Sequence, residues 1–358
     1  MLIPRTYVCV LGAGQFGTAV AIHLAKKGYD TTLWGRNENT LAKWQKDWCA
    51  KNIFPNINFP KNLKITSNFD NATSNINIIV VGVPTQHIRE ILRLIKKSNI
   101  ISKHAPAHPF MLAPKLLVCV NKGIEIKTGQ LTDEIILEEL GENWPFCVIS
   151  GPSFAYELVS ELPMALVCAG KDAQNTIRCQ NILASSYLRV YRTIDLIGVE
   201  LGGAIKNVMA IAVGICDGLM LGQSARASLI SRALAEMMRI AKAYGANPIT
   251  ISGLSGLGDL VLCATSTQSR NYRLGTLIAK GMPPGPFFMN PQFLAEGAYT
   301  AKAILPKIKK FAIEAPIIEE VYNVLWKNTP PTDAIAKLLG RSLKPEDPFL
   351  ASNTNNAL

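Results

Sequence analysis

Between Tyr7 and about Ile194 the chain alternates short runs rich in valine and isoleucine with segments whose apolar residues recur at helical spacing. Five runs read as strands: Tyr7 to Leu11, Thr31 to Trp34, Asn77 to Val83, Lys115 to Val120 and Phe146 to Ser150. Their interiors are apolar without alternation, as strands covered on both faces should be. Two further runs, Met164 to Ala169 and Tyr187 to Arg192, fit an extension at a sheet edge. Strands separated by helical segments predict parallel pairs joined by helical crossovers. Residues 98 to 116, with prolines at 106, 109 and 114, predict a surface loop.

From Val199 onward the texture changes to long segments of helical period, without convincing strands. Gly222, Gly245 and Pro248 punctuate this half, and 281 to 291, rich in proline and glycine, predicts an exposed connection. Pro331, Thr332 and Asp333 start a last helix that ends near Gly340. The expected fold is therefore α/β: an N-terminal, doubly wound domain with a mainly parallel sheet over 1–195, then an all-α domain over 196–340. A polar tail, 341–358, is expected to fray.

Composition narrows the classes. A chain of 358 residues with 48% hydrophobic and 18% charged positions has room for two domains and a sizeable core, which excludes a disordered scaffold. The eight cysteines, at 9, 49, 119, 147, 168, 179, 216 and 263, form no close pairs in sequence. They predict reduced thiols in the cytoplasm rather than a zinc site or a secreted disulfide framework. The most apolar stretch, 196 to 222, is interrupted by Glu200, Lys206 and Asp217, so no transmembrane segment is expected, and the amino terminus lacks a signal-peptide pattern. The net charge of +11 comes without a long lysine or arginine run, which favours small anionic ligands over nucleic acid. Four histidines, at 23, 87, 104 and 108, make no ligand pattern, and no metal is assigned.

Gly12-Ala13-Gly14-Gln15-Phe16-Gly17 directly follows the first strand and opens a helix. In that context Gly12 permits a tight turn, Gly14 lets the backbone approach a pyrophosphate, and Gly17 allows close helix packing. Free amides and the positive end of the helix dipole then face the phosphates. The plain alternative is a glycine-rich turn. After the second strand the usual ribose-binding acid is missing, and Arg36 stands in its region. A guanidinium there could meet the adenine or a 2′-phosphate, so NADP is expected to be admitted and NAD accepted as well; otherwise Arg36 is a solvated loop residue.

Two lysines stand where charge needs a reason. Lys122 follows the strand ending at Val120, beyond whose carboxyl end ligands of open parallel sheets bind. Lys206 interrupts an apolar helical stretch. A buried ammonium must be paired, reach a cavity or have a depressed pKa. Lowering a lysine from about 10.4 toward 7 takes roughly 4.6 kcal/mol, obtainable from burial and a second ammonium, and would make Lys206 a general base. The alternative is a lysine that snorkels to water. Ser150 to Ala155 follows a strand and suits anion binding, Gly253 to Asp259 sets an acid among glycines and serines, and Ser269-Arg270-Asn271 offers a phosphate fork at a helix start.

Together these residues resemble the NAD(P)-dependent glycerol-3-phosphate dehydrogenase family in its bacterial form. The likeness runs from Val8 to about Pro330 and is most specific over Asn121 to Glu125, Ser150 to Glu157, Leu201 to Ala212, Gly253 to Leu262 and Ser269 to Gly275. It implies a Rossmann-like first domain and reversible reduction of dihydroxyacetone phosphate to sn-glycerol 3-phosphate by NADH or NADPH, supplying phospholipid biosynthesis. It further implies that Lys206 is the proton acceptor, with Lys122 and Asp259 also catalytic. Lys122, Gly151, Ser153, Lys206, Asp259, Ser269, Arg270 and Asn271 are expected at the substrate. Beside the cradle glycines, the cofactor is expected on Gln15, Phe16, Arg36, Lys122, Ala155, Arg270, Leu294 and Glu296. The family commonly has tryptophan at Phe16 and threonine at Cys263, and 100 to 113 and the loop near 285 look like insertions. A homodimer in the cytoplasm is the default expectation. The alternatives are a dehydrogenase of another small phosphorylated or acidic alcohol, and a dinucleotide-binding regulator without turnover.

Overall fold

The computed structural model describes residues 6–74, 76–98, 115–289, 293–343 and 346. The readings made for 100 to 113, most of the 98 to 116 loop, the end of the 281 to 291 connection and most of the tail lie outside these residues. The chain divides into two compact units, Met1–Lys122 with Gln130–Leu196, and Gly123–Gly129 with Ile197–Leu358.

The first unit is built on an eight-stranded sheet. Its strands are β1 (Tyr7–Leu11), β2 (Asp30–Trp34), β3 (Leu63–Thr66), β4 (Ile78–Val81), β5 (Leu116–Cys119), β6 (Phe146–Ser150), β7 (Met164–Ala169) and β8 (Leu188–Thr193), in the order β3-β2-β1-β4-β5-β6-β7-β8. All pairs are parallel except β6 with β7. Strand order reverses between β1 and β4, and the crevice at such a switch point is where ligands of doubly wound sheets bind. The sheet core is aliphatic: Val8, Val10, Val80 and Val118 are buried, as are Ile22 and Leu24 of the covering helix Gln15–Lys26.

The α/β fold, its mainly parallel sheet and the helical second half are as the sequence predicts. β3 is the strand that pattern reading passes over. Its Leu63-Lys64-Ile65-Thr66 run is short and alternating, because it lies at the sheet edge with Lys64 exposed. His23 is a structural residue: Nε2 faces the Leu183 carbonyl at 2.7 Å and so carries the proton, leaving Nδ1 to accept from the Tyr187 hydroxyl at 2.7 Å. Burial pulls its pKa down to about 4.

Cysteines distant in sequence do meet in space. The sulfurs of Cys147 on β6, Cys168 on β7 and Cys179 on the helix Ala173–Leu183 lie within 4.8 Å of one another, all buried. The absence of close sequence pairs therefore does not keep the thiols apart.

The second unit is helical. Its centre is the helix Leu196–Gly218, whose length and mean hydropathy of 1.6 would suit a membrane span, but 94% of that apolar window is buried inside the protein. It is a core helix. Gly214 and Gly218 show why: a Cβ on Gly214 would lie 2.2 Å from the Tyr272 carbonyl oxygen, so small residues let the helix Arg270–Ala279 pack directly on it. The buried Glu236 carboxylate, from the helix Gln223–Ala243, accepts from the amides of Ile317 and Ile318 and so caps the helix Pro316–Lys327, whose own N-cap residue is Ala315. The predicted connection after Gly281 contains one short helix, Gly285–Phe288, and the last helix is Pro331–Leu339.

Candidate active site

In the first unit each cradle glycine is required for a different reason. Gly12 has φ +125°, and a Cβ there would lie 2.7 Å from the Gly82 carbonyl oxygen beyond β4. A Cβ on Gly17 would lie 2.1 Å from the Gly12 carbonyl oxygen, so the helix and turn pack in contact. Gly14 differs: it is exposed, caps the helix Gln15–Lys26, and a Cβ would meet nothing within 4 Å. Open space at that one position is what a backbone approached by a pyrophosphate needs. The helix has no side-chain N-cap and no acid in its first turn, so its leading amides and dipole suit an anion. The residues present fit a dinucleotide.

Around the cradle, Gln15 is exposed, while Phe16 and Ala155 are half-buried and pack against the sheet core. Arg36 follows Gly35 at the end of β2, with its side chain 63% exposed and Nη1 3.5 Å from Glu90 Oε2. A surface pair of that length contributes little, so the guanidinium is available to a ligand. Beyond β5, Lys122 donates to the Gly151 carbonyl at 2.7 Å and reaches Ser153 Oγ at 3.5 Å. Gly151, with φ +126°, makes the turn that presents that carbonyl.

In the second unit Lys206 is only 4% exposed. Its ammonium donates to Asp259 Oδ1 at 2.9 Å and contacts Cys263 Sγ at 2.8 Å. Asp259, 1% exposed, begins the helix Asp259–Ala264, and Cys263 follows one turn later on the same face. A π-helical turn, Leu254–Gly258, delivers the acid; a Cβ on Gly256 would lie 2.0 Å from the Ile251 carbonyl oxygen. The expectation of a depressed lysine pKa is overturned. Burial does push the Lys206 pKa down, but the Asp259 carboxylate, Cys263 and their hydrogen bonds outweigh it, and the net shift is upward.

Asn271, beside Ser269 and Arg270 at the start of Arg270–Ala279, sits in a chain of hydrogen bonds. Its Nδ2 donates to Asn207 Oδ1 at 2.8 Å and its Oδ1 accepts from the Gly297 amide at 3.0 Å. Ser269 is the N-cap, accepting from the Tyr272 amide. Arg270 is exposed, with Glu296 and Arg273 as charged neighbours. Leu294 is half-buried, and Glu296 opens the helix Glu296–Lys310.

The structure thus gathers the predicted residues into two groups. Gly12, Gly14, Gln15, Phe16, Gly17, Arg36, Lys122, Gly151, Ser153 and Ala155 belong to the first unit; Lys206, Asp259, Ser269, Arg270, Asn271, Leu294 and Glu296 belong to the second. Sequence reasoning missed Asn207 and Gly297. Asn207 had a signal as a polar residue next to Lys206 in a largely apolar helix; Gly297 had none, although a Cβ there would lie 2.4 Å from the Asn207 carbonyl oxygen.

Comparison with known proteins gives a consistent result. Residues 7–176 match the N-terminal part, and 195–336 the C-terminal part, of NAD-dependent glycerol-3-phosphate dehydrogenase. The glycerol-3-phosphate dehydrogenase (NAD(P)+) of Thioalkalivibrio sulfidiphilus is 40% identical over 339 residues, covering 95% of this chain and 98% of that protein. The enzyme of the same name from Escherichia coli is 40% identical over 338 residues, covering 94% and 96%. The crystal structure of the glycerol-3-phosphate dehydrogenase of Coxiella burnetii superposes with a TM-score of 0.85 at 34% identity, covering 94% of this chain and 99% of that one.

Proposed function

The chain belongs to the NAD-dependent glycerol-3-phosphate dehydrogenase family, and from that premise we propose that it reversibly reduces dihydroxyacetone phosphate to sn-glycerol 3-phosphate with NADH or NADPH. The product is the backbone precursor of glycerophospholipids. The observation that carries the chemistry is the buried ammonium of Lys206, fixed 2.9 Å from Asp259 in a largely apolar helix.

A bound reduced nicotinamide supplies hydride to a carbonyl carbon. In the first unit the amides after Gly14 receive the pyrophosphate, Gln15, Phe16 and Ala155 flank the dinucleotide, and Arg36 meets its adenosine end, where a 2′-phosphate is admitted but not required. In the second unit Ser269, Arg270 and Asn271 take the substrate phosphate: Arg270 through a charged fork, Asn271 from an orientation fixed by Asn207 and Gly297. Leu294 and Glu296 are assigned to the cofactor.

Lys206 handles the proton. During reduction its ammonium stabilises the alkoxide that forms at C2 and gives it a proton; in the reverse direction the neutral amine takes the hydroxyl proton. Asp259 keeps the amine charged at rest and aims it. Lys122, held by Gly151 and Ser153, supplies a second positive charge for substrate oxygen. The residue types support each role, and the domain assignment follows: 1–195 for the nucleotide, 196–340 for the substrate.

The eight buried cysteines, all as thiols rather than disulfides, support a reducing, cytoplasmic location, and a homodimer is the assembly we expect. The test is direct. Purified protein with dihydroxyacetone phosphate should consume NADH or NADPH, followed by nicotinamide absorbance in parallel reactions. Consumption with 6-phosphogluconate or hydroxy acids instead would replace the substrate, and binding without consumption would leave a regulator.

A further inference from the structure

Cys263 places an oxidisable sulfur against the amine that the reaction depends on. Sγ lies 2.8 Å from Lys206 Nζ and 3.5 Å from Asp259 Oδ1, and all three side chains are buried. Both partners project from regular helices, Lys206 from Leu196–Gly218 and Cys263 from Asp259–Ala264, so the pair is held rather than sampled. Reacting atoms held at about 3 to 3.5 Å gain the advantage of intramolecular reaction, and this pair, at 2.8 Å, is closer still. The thiolate is the form that peroxides attack, and the Lys206 ammonium 2.8 Å away is the cation that would pair with it. A threonine at this position would keep a hydrogen bond to the lysine but offer no atom to oxidise.

We propose that Cys263 and Lys206 form a reversible sulfenamide cross-link, an Sγ–Nζ bond, when the protein meets hydrogen peroxide. In the first step the Cys263 thiolate attacks one peroxide oxygen. The S–O bond forms, the O–O bond breaks, and the departing hydroxide takes a proton to leave as water; sulfur is oxidised to sulfenic acid and peroxide is reduced. In the second step Nζ passes one proton to Asp259 and attacks Sγ. The S–N bond forms, the S–O bond breaks, and the hydroxyl leaves as water with a second proton from nitrogen. No further oxidant is consumed. A thiol reductant reverses the link: its thiolate attacks Sγ, releases the amine as a mixed disulfide forms, and a second thiol frees Cys263.

The linked nitrogen carries no ammonium proton, so the link should silence the enzyme until a thiol restores it. This consequence, unlike the link itself, rests on the proposed role of Lys206.

The experiment treats the full-length protein with hydrogen peroxide, measures turnover, and maps peptides under non-reducing conditions. The expected result is a peptide pair joined through Lys206 and Cys263, lacking two hydrogens relative to the free peptides and uncut by trypsin at Lys206. Turnover should be lost in proportion to the linked fraction and regained with dithiothreitol. Cys263→Thr, compared with its own untreated rate, should show neither the joined peptides nor a thiol-reversible loss. Peroxide-treated wild type with Cys263 still reduced, or oxidised to sulfinic acid with Lys206 free, overturns the proposal and leaves the role of Lys206 standing. A complete link with undiminished turnover upholds the link and instead refutes the role of Lys206.

Discussion

Lys206 Nζ and Asp259 Oδ1 stand 2.9 Å apart with both side chains buried, so each charge depends on the other. Removing one partner of such a pair leaves an uncompensated charge, at a cost of roughly 3–5 kcal/mol. Asp259→Asn keeps the shape and deletes the charge. It should lower the unfolding free energy by about that amount in denaturant titration and also slow reduction of dihydroxyacetone phosphate. An Asp259→Asn protein as stable as wild type would mean the pair is not load-sharing in the folded state.

The same pair fixes a pH dependence. Burial lowers the Lys206 pKa, but Asp259 and Cys263 raise it by more, so the amine stays charged through neutral and mildly alkaline pH. Stability from the pair is fully present below the ordinary lysine value and fades only as pH rises through the higher folded value. On the role proposed for Lys206, reduction draws on the ammonium and should therefore show no loss from this group up to about pH 9. On the same proposal, oxidation of glycerol 3-phosphate draws on the neutral amine and should keep rising with pH over the same range. Removing the Asp259 charge should move that rise to lower pH. The check is kcat against pH in both directions, and an oxidation plateau near neutrality would contradict the assignment.

Gly14 and Gly17 should separate binding from folding. A Cβ at Gly14 meets open space, whereas at Gly17 it lies 2.1 Å from a backbone oxygen. Gly14→Ala should fold with near-normal stability yet bind NADH about tenfold or more weakly, because its methyl group occupies the pyrophosphate's path. Gly17→Ala should destabilise the protein by about 1–3 kcal/mol or more through overpacking. Calorimetric titration with NADH and thermal unfolding test the pair; equal effects of both substitutions on stability would count against the cradle.

Glu236 should make stability depend on pH in the opposite sense from an acid whose pKa is lowered on folding. Burial raises its pKa from 4.5 to about 7, against the pull of the two amides it caps. Between those values the unfolded chain loses the proton first, so the contribution of Glu236 to stability falls as pH rises and levels off above about 7. Glu236→Gln cannot titrate. Its stability relative to wild type should shift in its favour from about pH 5 to about pH 7, by at most about 1.36 kcal/mol per pH unit, in denaturant titrations. A difference independent of pH would mean that Glu236 does not titrate in this range.

What could be read from the chain follows from what is local. β1, β6 and β7 have the bounds expected because each is an unbroken apolar run ended by glycine or a turn. The cradle was legible because strand, glycines and helix are adjacent in sequence. Lys206 stood out as a charge inside an apolar helix. The rest depends on distant partners. β3 is half polar because one side of an edge strand faces water, and the Asn207, Asn271 and Gly297 chain joins three separate helices. The sign of the Lys206 shift could not be read because it is set by Asp259 and Cys263, more than fifty residues away.

The most direct test is Lys206→Met, which preserves the bulk of the side chain and removes the amine. With folding checked by circular dichroism and NADH binding shown to be intact, kcat for reduction of dihydroxyacetone phosphate should fall by roughly 10²–10⁴-fold, the usual contribution of a positioned proton-transfer group. A folded, NADH-binding variant that turns over at close to the wild-type rate would contradict the account.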